Sequence, residues 1–215
     1  MEKILLKNFS KMSGKLAGIP ALNVSPFSDF CDNMSQNPEY ICSKCYSRRM
    51  LSSFRKNCLP SFDKNGKLLS ESLVEVPKFP KGDKYKYIRI NAHGELINTT
   101  HFLNIIGIAQ KNPDSTIVLY TKRKTIVTLI LKDVIKPPNL IIIYSNPMID
   151  NPIYYNINPG VDCHNNRIID KIFNVVTPEY AANNPININC GKKNCRECLN
   201  CYKKDSPSII NEILK

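Results

Sequence analysis

The pattern of hydrophobic and polar positions becomes regular after about residue 85, where short apolar runs alternate with longer periodic stretches. Short apolar runs suit strands, and stretches with apolar positions three and four residues apart suit helices. In the first helical stretch Phe102, Ile105 and Ala109 fall on one face. The pattern predicts strands at 86–90, 116–120, 139–144 and 171–176, and helices at 101–110 and 124–134.

Strands that alternate with helices of this length predict βαβ units and a parallel sheet. The run NLIIIY is almost wholly apolar, as in a strand buried on both faces. Three or four units are too few for an eight-stranded barrel, so the predicted class is α/β, either a partial (β/α) barrel or an open, mostly parallel sheet. A single domain is expected over 1–215, with an irregular cysteine-bearing segment at 1–60, a loop-like stretch at 61–84, the core at 85–180 and an irregular cysteine-rich segment at 186–215.

Polar residues follow three of the predicted strands at their carboxyl ends. NAHGEL follows the first strand, TKRK the second and SNP the third. In parallel α/β sheets, ligands gather at these strand ends. The same residue types also form ordinary turns, so the pattern is compatible with a ligand site or with plain turn chemistry.

Thirty Lys and Arg against eighteen Asp and Glu give the chain a formal charge of +12. Such an excess favours a polyanionic partner, above all DNA or RNA, because binding releases counterions. Basic residues cluster within 48–56, 122–124 and 192–196, and two of these groups flank cysteine motifs. A composition rich in Asn, Ile and Lys, as an AT-rich genome produces, is the competing explanation.

The sequence has no apolar run of the roughly 18 residues that a membrane span needs, so no membrane partner is expected. The N-terminal stretch MEKILLKNFSKMSGK lacks the apolar core and cleavage site of a signal peptide. A cytoplasmic location is therefore expected, and disulfides are rare there. Nine cysteines is also an odd number, which argues against a framework made only of disulfides.

Four of the cysteines lie within twelve residues in CGKKNCRECLNC, at 190–201. They are Cys190, Cys195, Cys198 and Cys201. Two consecutive CxxC steps place three sulfurs on one tight loop, which is the core of the bacterial ferredoxin pattern. Zinc sites usually join two CxxC steps separated by a dozen or more residues. The spacing therefore predicts an iron–sulfur cluster of the 4Fe–4S type, with zinc as the alternative.

A second group, Cys31, Cys42 and Cys45, has the spacing C-x10-C-x2-C. Three cysteines are compatible with a cluster that keeps one iron open, or with a site that another residue completes. The residues considered for that role are Cys58, Cys163 and His164. The first is interpreted as a half-buried hydrophobe, and the other two share the polar loop PGVDCHNN. The sequence thus predicts one or two clusters and does not assign every cysteine to a site.

Several motifs taken in order resemble the gene product 88 family of bacteriophage proteins, which is largely uncharacterised. The matching features are KLAGIPALNVSP at 15–26, CSKCYS at 42–47, RINAHGELIN at 89–98, NPDSTIVLYTK at 112–122 and the cysteine-rich CGKKNCRECLNC. The resemblance implies a phage or prophage origin, and hence the cytoplasm of the host cell. It does not supply an established activity.

A weaker similarity links the chain to radical S-adenosylmethionine enzymes. In those enzymes three N-terminal cysteines hold a cluster with one free iron, and a Gly-Gly-Glu-like motif contacts the amino group of the ligand. The similarity implies the first role for Cys31, Cys42 and Cys45. It implies the second role, and S-adenosylmethionine as a cofactor, for His93, Gly94 and Glu95. This chain departs from the family spacing C-x3-C-x2-C, and Tyr46 follows the last cysteine instead of preceding it.

Three hypotheses of function follow. In the first, an iron–sulfur protein of radical-enzyme-like fold acts on nucleic acid, with Glu95 as anchor or base, Arg89 as anion clamp and His93 beside them. The second is a zinc-dependent base-exchange enzyme of phage DNA modification, which needs an Asp nucleophile that the sequence does not single out. The third is a non-catalytic protein whose metal stabilises the fold while its basic face contacts nucleic acid.

Overall fold

The computed structural model describes residues 2–154, 167–191 and 193–214. Within these residues the strands form one seven-stranded sheet, in which they follow one another in sequence order. The strands are β1 (Phe9–Ser10), β2 (Ala21–Leu22), β3 (Tyr87–Ile90), β4 (Thr116–Thr121), β5 (Leu140–Ile149), β6 (Lys171–Val176) and β7 (Ile209–Ile213). β1 runs antiparallel to β2, and each later neighbouring pair is parallel. β1 and β7 lie at opposite edges, so the predicted α/β class is confirmed in its open-sheet form.

Helices connect most of the parallel strands. They are α1 (Asp29–Ser35), α2 (Tyr46–Leu51), α3 (Leu59–Glu71), α4 (Thr99–Lys111), α5 (Lys124–Leu131), α6 (Pro178–Asn183) and the single turn α7 (Cys195–Cys198). Apolar residues of α3, α4 and α5, among them Leu69, Phe102 and Val127, share one core with alternate residues of the strands. No helix in the described part of the chain is both long and apolar enough to cross a membrane.

The intervening strand residues point to the opposite face of the sheet, because side chains alternate along a strand. Val118, Ile141 and Ile143 form a second, smaller core there. Cys201 and Tyr202, from the cysteine-rich segment, pack into this core. The second face is thus covered by the chain that carries the C-terminal cysteines, and not by a helical layer.

The six strands and helices predicted between residues 86 and 176 are all present, with ends that differ by a few residues. The loop-like interpretation of 61–84 is wrong over its first part, where α3 runs to Glu71. This helix buries polar or small residues: Asn65 donates to the carbonyls of Asn8 and Asn23 at 3.2 and 3.0 Å. Gly66 packs so closely that an added Cβ would lie 3.2 Å from a side-chain carbon of Ile97. A hydrophobic pattern does not reveal a helix that packs in this way.

Candidate functional site

The C-terminal cysteines lie on the second face of the sheet. Asn194 caps α7 by accepting from the backbone N–H of Arg196 at 2.8 Å, and α7 carries Cys195 and Cys198. Leu199 then adopts a left-handed conformation with φ of 54°, which turns the chain back toward the sheet. This turn places Cys201 in the second core.

Three side chains from outside α7 surround these thiols. The hydroxyl of Tyr120 lies 2.8 Å from the sulfur of Cys201. The guanidinium of Arg89 stacks on the Tyr120 ring, 3.2 Å from its centroid. The Nε of Arg89 and the hydroxyl of Tyr202, which is 3% exposed, are buried without a hydrogen-bond partner. A buried donor left without an acceptor is costly, so these two groups mark an incomplete environment.

Arg89 makes no ion pair with a carboxylate among the described residues. The nearest acidic groups that act on it electrostatically are Tyr120, Tyr202 and Cys201. A buried cation normally has an anionic partner. Of the described groups that act on Arg89, the Cys201 thiol is the one that would become an anion on binding a metal.

Two of these thiols, Cys190 and Cys195, are neutral at pH 7. Burial, with the charges of Glu212 and Cys201, raises the pKa of Cys190 to about 12, and burial with the charge of Cys201 raises the pKa of Cys195 to about 11. Burial also raises the pKa of Cys201, while Tyr120 and Arg89 act in the opposite direction. A metal that bound here would have to displace the thiol protons.

Two cations tie this segment to the N-terminal part of the chain. Lys15 forms an ion pair with Glu212 of β7. Arg196 donates to the carbonyls of Gly18 and Asp83 at 3.3 and 3.4 Å. The C-terminal cysteines are therefore held between the sheet and the loops that precede β2 and β3.

The N-terminal cysteines lie at the carboxyl edge of the sheet. Cys31 is in α1, Cys42 is in a 3-10 helix at Ile41–Lys44, and Cys45 directly precedes α2. A bridge between Tyr40 and Met148 attaches this segment to the far end of β5. The three thiols are thus carried to the strand ends by a segment that lies beside the sheet.

The three N-terminal thiols lie in neighbouring elements near the strand ends. Cys42 and Cys45 line one cavity, and α1, which carries Cys31, packs against the 3-10 helix that carries Cys42. Burial raises the pKa of Cys31 and of Cys42. The charges of Cys45, Glu95 and Lys122 act on both thiols as well, the first two raising the pKa and the last lowering it.

Glu95 is bound by the protein itself. One carboxylate oxygen accepts from the Thr121 hydroxyl at 2.6 Å and from the Leu96 amide at 2.8 Å. The other accepts from the Lys122 amide at 2.7 Å. These bonds join the loop after β3 to the end of β4, so Glu95 positions the strand ends.

The neighbouring residues of this loop have structural partners as well. Gly94 has φ of +81°, and an added Cβ would lie 2.3 Å from the carbonyl oxygen of Val24, so no other residue fits. His93 is paired through Nδ1 with the Ser47 hydroxyl at 2.8 Å and stacks on Phe62 with ring centroids 5.5 Å apart. Burial lowers the pKa of His93 to about 4, helped by the charge of Arg55, so the ring is neutral at pH 7.

The structure separates the three residues predicted to share a pocket. His93 and Glu95 lie at the carboxyl edge, whereas Arg89 points to the second face and lies against Tyr120. Cys58 packs against the small cluster formed by Met50, Leu51 and Phe62, as a half-buried hydrophobe should.

Several of the residues considered as ligands or nucleophiles have no role in these sites. Asp114 and Asp133 are exposed and follow α4 and α5, away from the carboxyl edge. Cys163, His164 and Asp162 lie outside the described residues.

Sequence reasoning missed Asn91, Tyr120 and Tyr202. Asn91 follows β3 with φ of 55°, and neither polar atom of its buried side chain has a hydrogen-bond partner. Its place in NAHGEL was the available signal, since a non-glycine residue at positive φ often marks a functional position. The two tyrosines had no signal, because only the fold brings them to the cysteines.

An open cavity of about 390 Å³ lies beside the N-terminal cysteines. It is lined by Ser35, Cys42, Ser43, Lys44, Cys45, Arg48 and Arg49. Arg48 is paired with Asp32 and lies over the Phe27 ring at 4.9 Å. The lining combines hydroxyl groups, thiols and cations.

Among the described residues, no three His, Cys, Asp or Glu side chains are grouped so that they could hold a metal ion as they stand. The eight cysteines in those residues are free thiols. The chemistry of the C-terminal donor set, four thiols with a buried guanidinium and two phenols, still fits a thiolate-bound metal group.

Comparison with known proteins gives one match. The model of a family described as gene product 88 matches residues 4–204. No curated protein and no solved structure matches the chain.

Proposed function

The chain belongs to the gene product 88 family, and we propose that it binds an iron–sulfur cluster of the 4Fe–4S type through its C-terminal cysteines. The ligands are Cys190, Cys195, Cys198 and Cys201. One observation carries the proposal: beside these thiols, Arg89 Nε and the Tyr202 hydroxyl are buried donors without acceptors.

A cluster would supply what the site lacks. Its thiolate and sulfide sulfurs accept hydrogen bonds, and such bonds help to set the reduction potential. Its negative charge with four thiolates would balance buried Arg89 and the nearby Lys171, whose charge already acts on Cys201. When bound, the group supplies one-electron transfer or structural support. The protein's own residues orient the sulfurs and keep water away.

Iron is preferred to zinc on two grounds. The two consecutive CxxC steps match the ferredoxin pattern more closely than the separated pairs of zinc sites. The second ground is that hydrogen-bond donors reach the site from two sides. Arg89 and Tyr120 approach from the sheet, and Tyr202 from the cysteine-rich segment. Zinc at the same cysteines is the alternative that the experiment must separate.

The test is anaerobic purification followed by an absorption spectrum and analysis of iron, sulfide and zinc. We expect a brown protein with a broad band at roughly 400 nm and with iron matched by labile sulfide. Cys195→Ser and Cys198→Ser should each lose the iron and sulfide of this cluster with the matching part of the band, whereas Cys58→Ser, at a half-buried thiol in another cluster of residues, should keep both. A colourless protein with stoichiometric zinc would overturn the proposal.

A second cluster at Cys31, Cys42 and Cys45 is proposed on separate grounds. Cys42 and Cys45 line one cavity, Cys31 lies in the adjacent helix α1, and the charges of Glu95 and Lys122 at the strand ends act on Cys31 and Cys42. Three ligands would leave one iron open to a small molecule at that edge. About eight irons per chain, falling to about four in Cys42→Ser, would support two clusters, since each 4Fe–4S group carries four. A chain that holds about four irons and keeps them all in Cys42→Ser would contradict the second site.

A further inference from the structure

Residues 44–56 carry basic and aromatic side chains at the surface, beside the N-terminal cysteines. The basic residues are Lys44, Arg48, Arg49, Arg55 and Lys56, and no Asp or Glu occurs between residues 40 and 62. The aromatic residues are Tyr46, which is 59% exposed, and Phe54, which is 73% exposed. We name this region the 44–56 surface.

Its charge is only partly neutralised by the protein. Arg48 is paired with Asp32, and Arg55 donates to the Ser13 hydroxyl at 2.8 Å. Lys44, Arg49 and Lys56 form no ion pair among the described residues. Lys44 and Arg49 line the same cavity, and two cations without a carboxylate partner at one cavity attract an anion.

The cavity described above opens within this surface and is suited to a phosphate group. Lys44, Arg48 and Arg49 provide positive charge, and Ser35 and Ser43 provide hydroxyl donors. Arginine recognises phosphate through paired N–H donors, and serine hydroxyls also contact phosphate oxygens.

The two exposed aromatic rings supply a different kind of contact. Phe54 is the most exposed large hydrophobic side chain in the described part of the chain. An exposed Phe gains by covering its ring, and nucleobases stack on such rings whatever their sequence. Bases are free to stack in this way only when the strand is not paired.

We propose that the 44–56 surface binds single-stranded nucleic acid, with a backbone phosphate in the cavity beside Cys42 and Cys45 and bases stacked on Phe54 and Tyr46. Binding there would bring a nucleotide next to the N-terminal thiols. The inference does not rest on the C-terminal metal centre, because every side chain involved lies between residues 35 and 56.

The test is fluorescence anisotropy with labelled oligonucleotides, using the full chain as purified and measuring its metal content in parallel. Single-stranded DNA, single-stranded RNA and duplex DNA of equal length are compared over a range of salt. Tight binding of either single strand with weaker binding of the duplex is expected. Equal or tighter binding of the duplex, or no binding near physiological salt, would overturn the proposal.

Matched variants assign the binding to this surface. In Lys44→Gln with Arg49→Gln, loss of the contact to the phosphate in the cavity should lower the salt dependence, the slope of log K against log salt, by about 0.7. Lys111→Gln with Lys132→Gln removes two exposed cations elsewhere and should leave that slope unchanged. If both pairs lower the slope equally, the attraction is one of overall charge and the assignment is wrong.

The aromatic contact has its own control. Phe54→Ala should weaken single-strand binding about tenfold, in line with the loss of one stacked base. Leu129→Ala, at a side chain that is also well exposed but lies on α5, should have no effect. An unchanged affinity in Phe54→Ala, with the fold and metal content intact, would rule out stacking on this ring.

Discussion

Glu95 brings a carboxylate into the buried carboxyl edge of the sheet, where its hydrogen bonds are to Thr121, Leu96 and Lys122. The carboxylate links the loop after β3 to β4. Its contribution is therefore to the position of the strand ends, and direct contact with S-adenosylmethionine stays a prediction.

Replacement of Glu95 tests that structural contribution. Glu95→Gln replaces one acceptor oxygen by an N–H donor that faces another donor. We expect the free energy of unfolding to fall by about 2 kcal/mol, as for other buried hydrogen bonds to a charged group. Urea unfolding of the variant and the parent measures this difference in the free energy of unfolding. Glu75→Gln, which removes an exposed carboxylate paired with Lys3, is the control and should not shift the midpoint; a similarly silent Glu95→Gln would contradict the interpretation.

The buried side chain of His101 should make the folding stability of the protein depend on pH. Its Nδ1 accepts from the Ile97 amide at 3.2 Å, its Nε2 has no partner, and burial lowers its pKa to about 3. The unfolded chain binds a proton near pH 6.5, whereas the folded chain does not until far lower pH. Stability that is fully present above about pH 6.5 is therefore lost as the pH falls toward 3, at up to about 1.4 kcal/mol per pH unit.

Urea unfolding at about pH 6 and at about pH 5 measures mainly the effect of histidine protonation on stability, because carboxylates are still largely ionised in this range. His101→Gln should reduce the loss of stability between these two values. His93→Gln should reduce it as well, since burial lowers the pKa of His93 to about 4. A pH dependence that neither substitution changes would show that the buried histidines do not cause it.

At the scale of the elements, β5 and β6 are joined at their amino ends by a buried ion pair. Asp170 lies 2.8 Å from the Lys136 amine and also accepts from the Ile142 amide at 2.7 Å. The Lys136 amine is in contact with the carbonyl of Arg167 as well. The pair therefore connects the segments that enter both strands.

Asp170→Asn should lower the free energy of unfolding by about 3 kcal/mol, because it removes the carboxylate charge that lies 2.8 Å from a buried amine. The control is Glu71→Gln, which disrupts the exposed pair with Lys67 at 3.9 Å and should change stability by less than about 0.5 kcal/mol. Chemical denaturation measures both. Equal effects of the two substitutions would mean that burial of the Asp170 pair adds nothing.

The elements differ in how far their sequences reveal them. β5 and α4 were predictable because buried strands and amphipathic helices leave a strong hydrophobic pattern. β7, Ile209–Ile213, was not predicted, because its sequence IINEI has two adjacent polar residues and no alternation. Asn211 is buried there and accepts a hydrogen bond from the Asn174 side chain at 3.0 Å. β1 and β2 are only two residues long, too short to show a period.

The candidate sites also differ in how much of them the sequence reveals. The grouping of cysteines was visible in the spacing, because ligands from one loop are close in sequence. The contacts of Arg89, Tyr120 and Tyr202 with these cysteines were not visible in the sequence, because residues that meet across a sheet face are linked only by strand register. Arg89 and Glu95 are separated because β3 ends at Ile90 and the loop that follows has positive φ at Asn91 and Gly94, so the alternation of side chains along the strand does not continue to Glu95.

At the scale of the whole molecule, the cysteine-rich segment serves as the second layer over the sheet. Cys201 and Tyr202 share a core with Ile141 and Ile143. A metal that fixes this segment would therefore also stabilise the sheet edge formed by β6 and β7.

Removal of the proposed cluster tests this relation. A chelator with a mild oxidant should lower the unfolding temperature, and hydrogen exchange should speed up in β7 and residues 190–202 while β3 and β4 stay protected. We expect a local effect because loss of the cluster breaks the link between α7 and the sheet. Helices still cover the N-terminal half of the sheet. The Cys58→Ser variant with its metal retained should behave like the parent. Uniform loss of protection over all strands would contradict a local role for the segment.

The sequence order of the strands has a consequence for synthesis on the ribosome. Each strand pairs with the strand made just before it, so the sheet can grow by one strand at a time as the nascent chain emerges. The C-terminal cysteines are translated after β6, and β7 follows them. Loading of the proposed cofactor at that site would therefore come after the first six strands have been made, and chains that stop before residue 201 would not take it up.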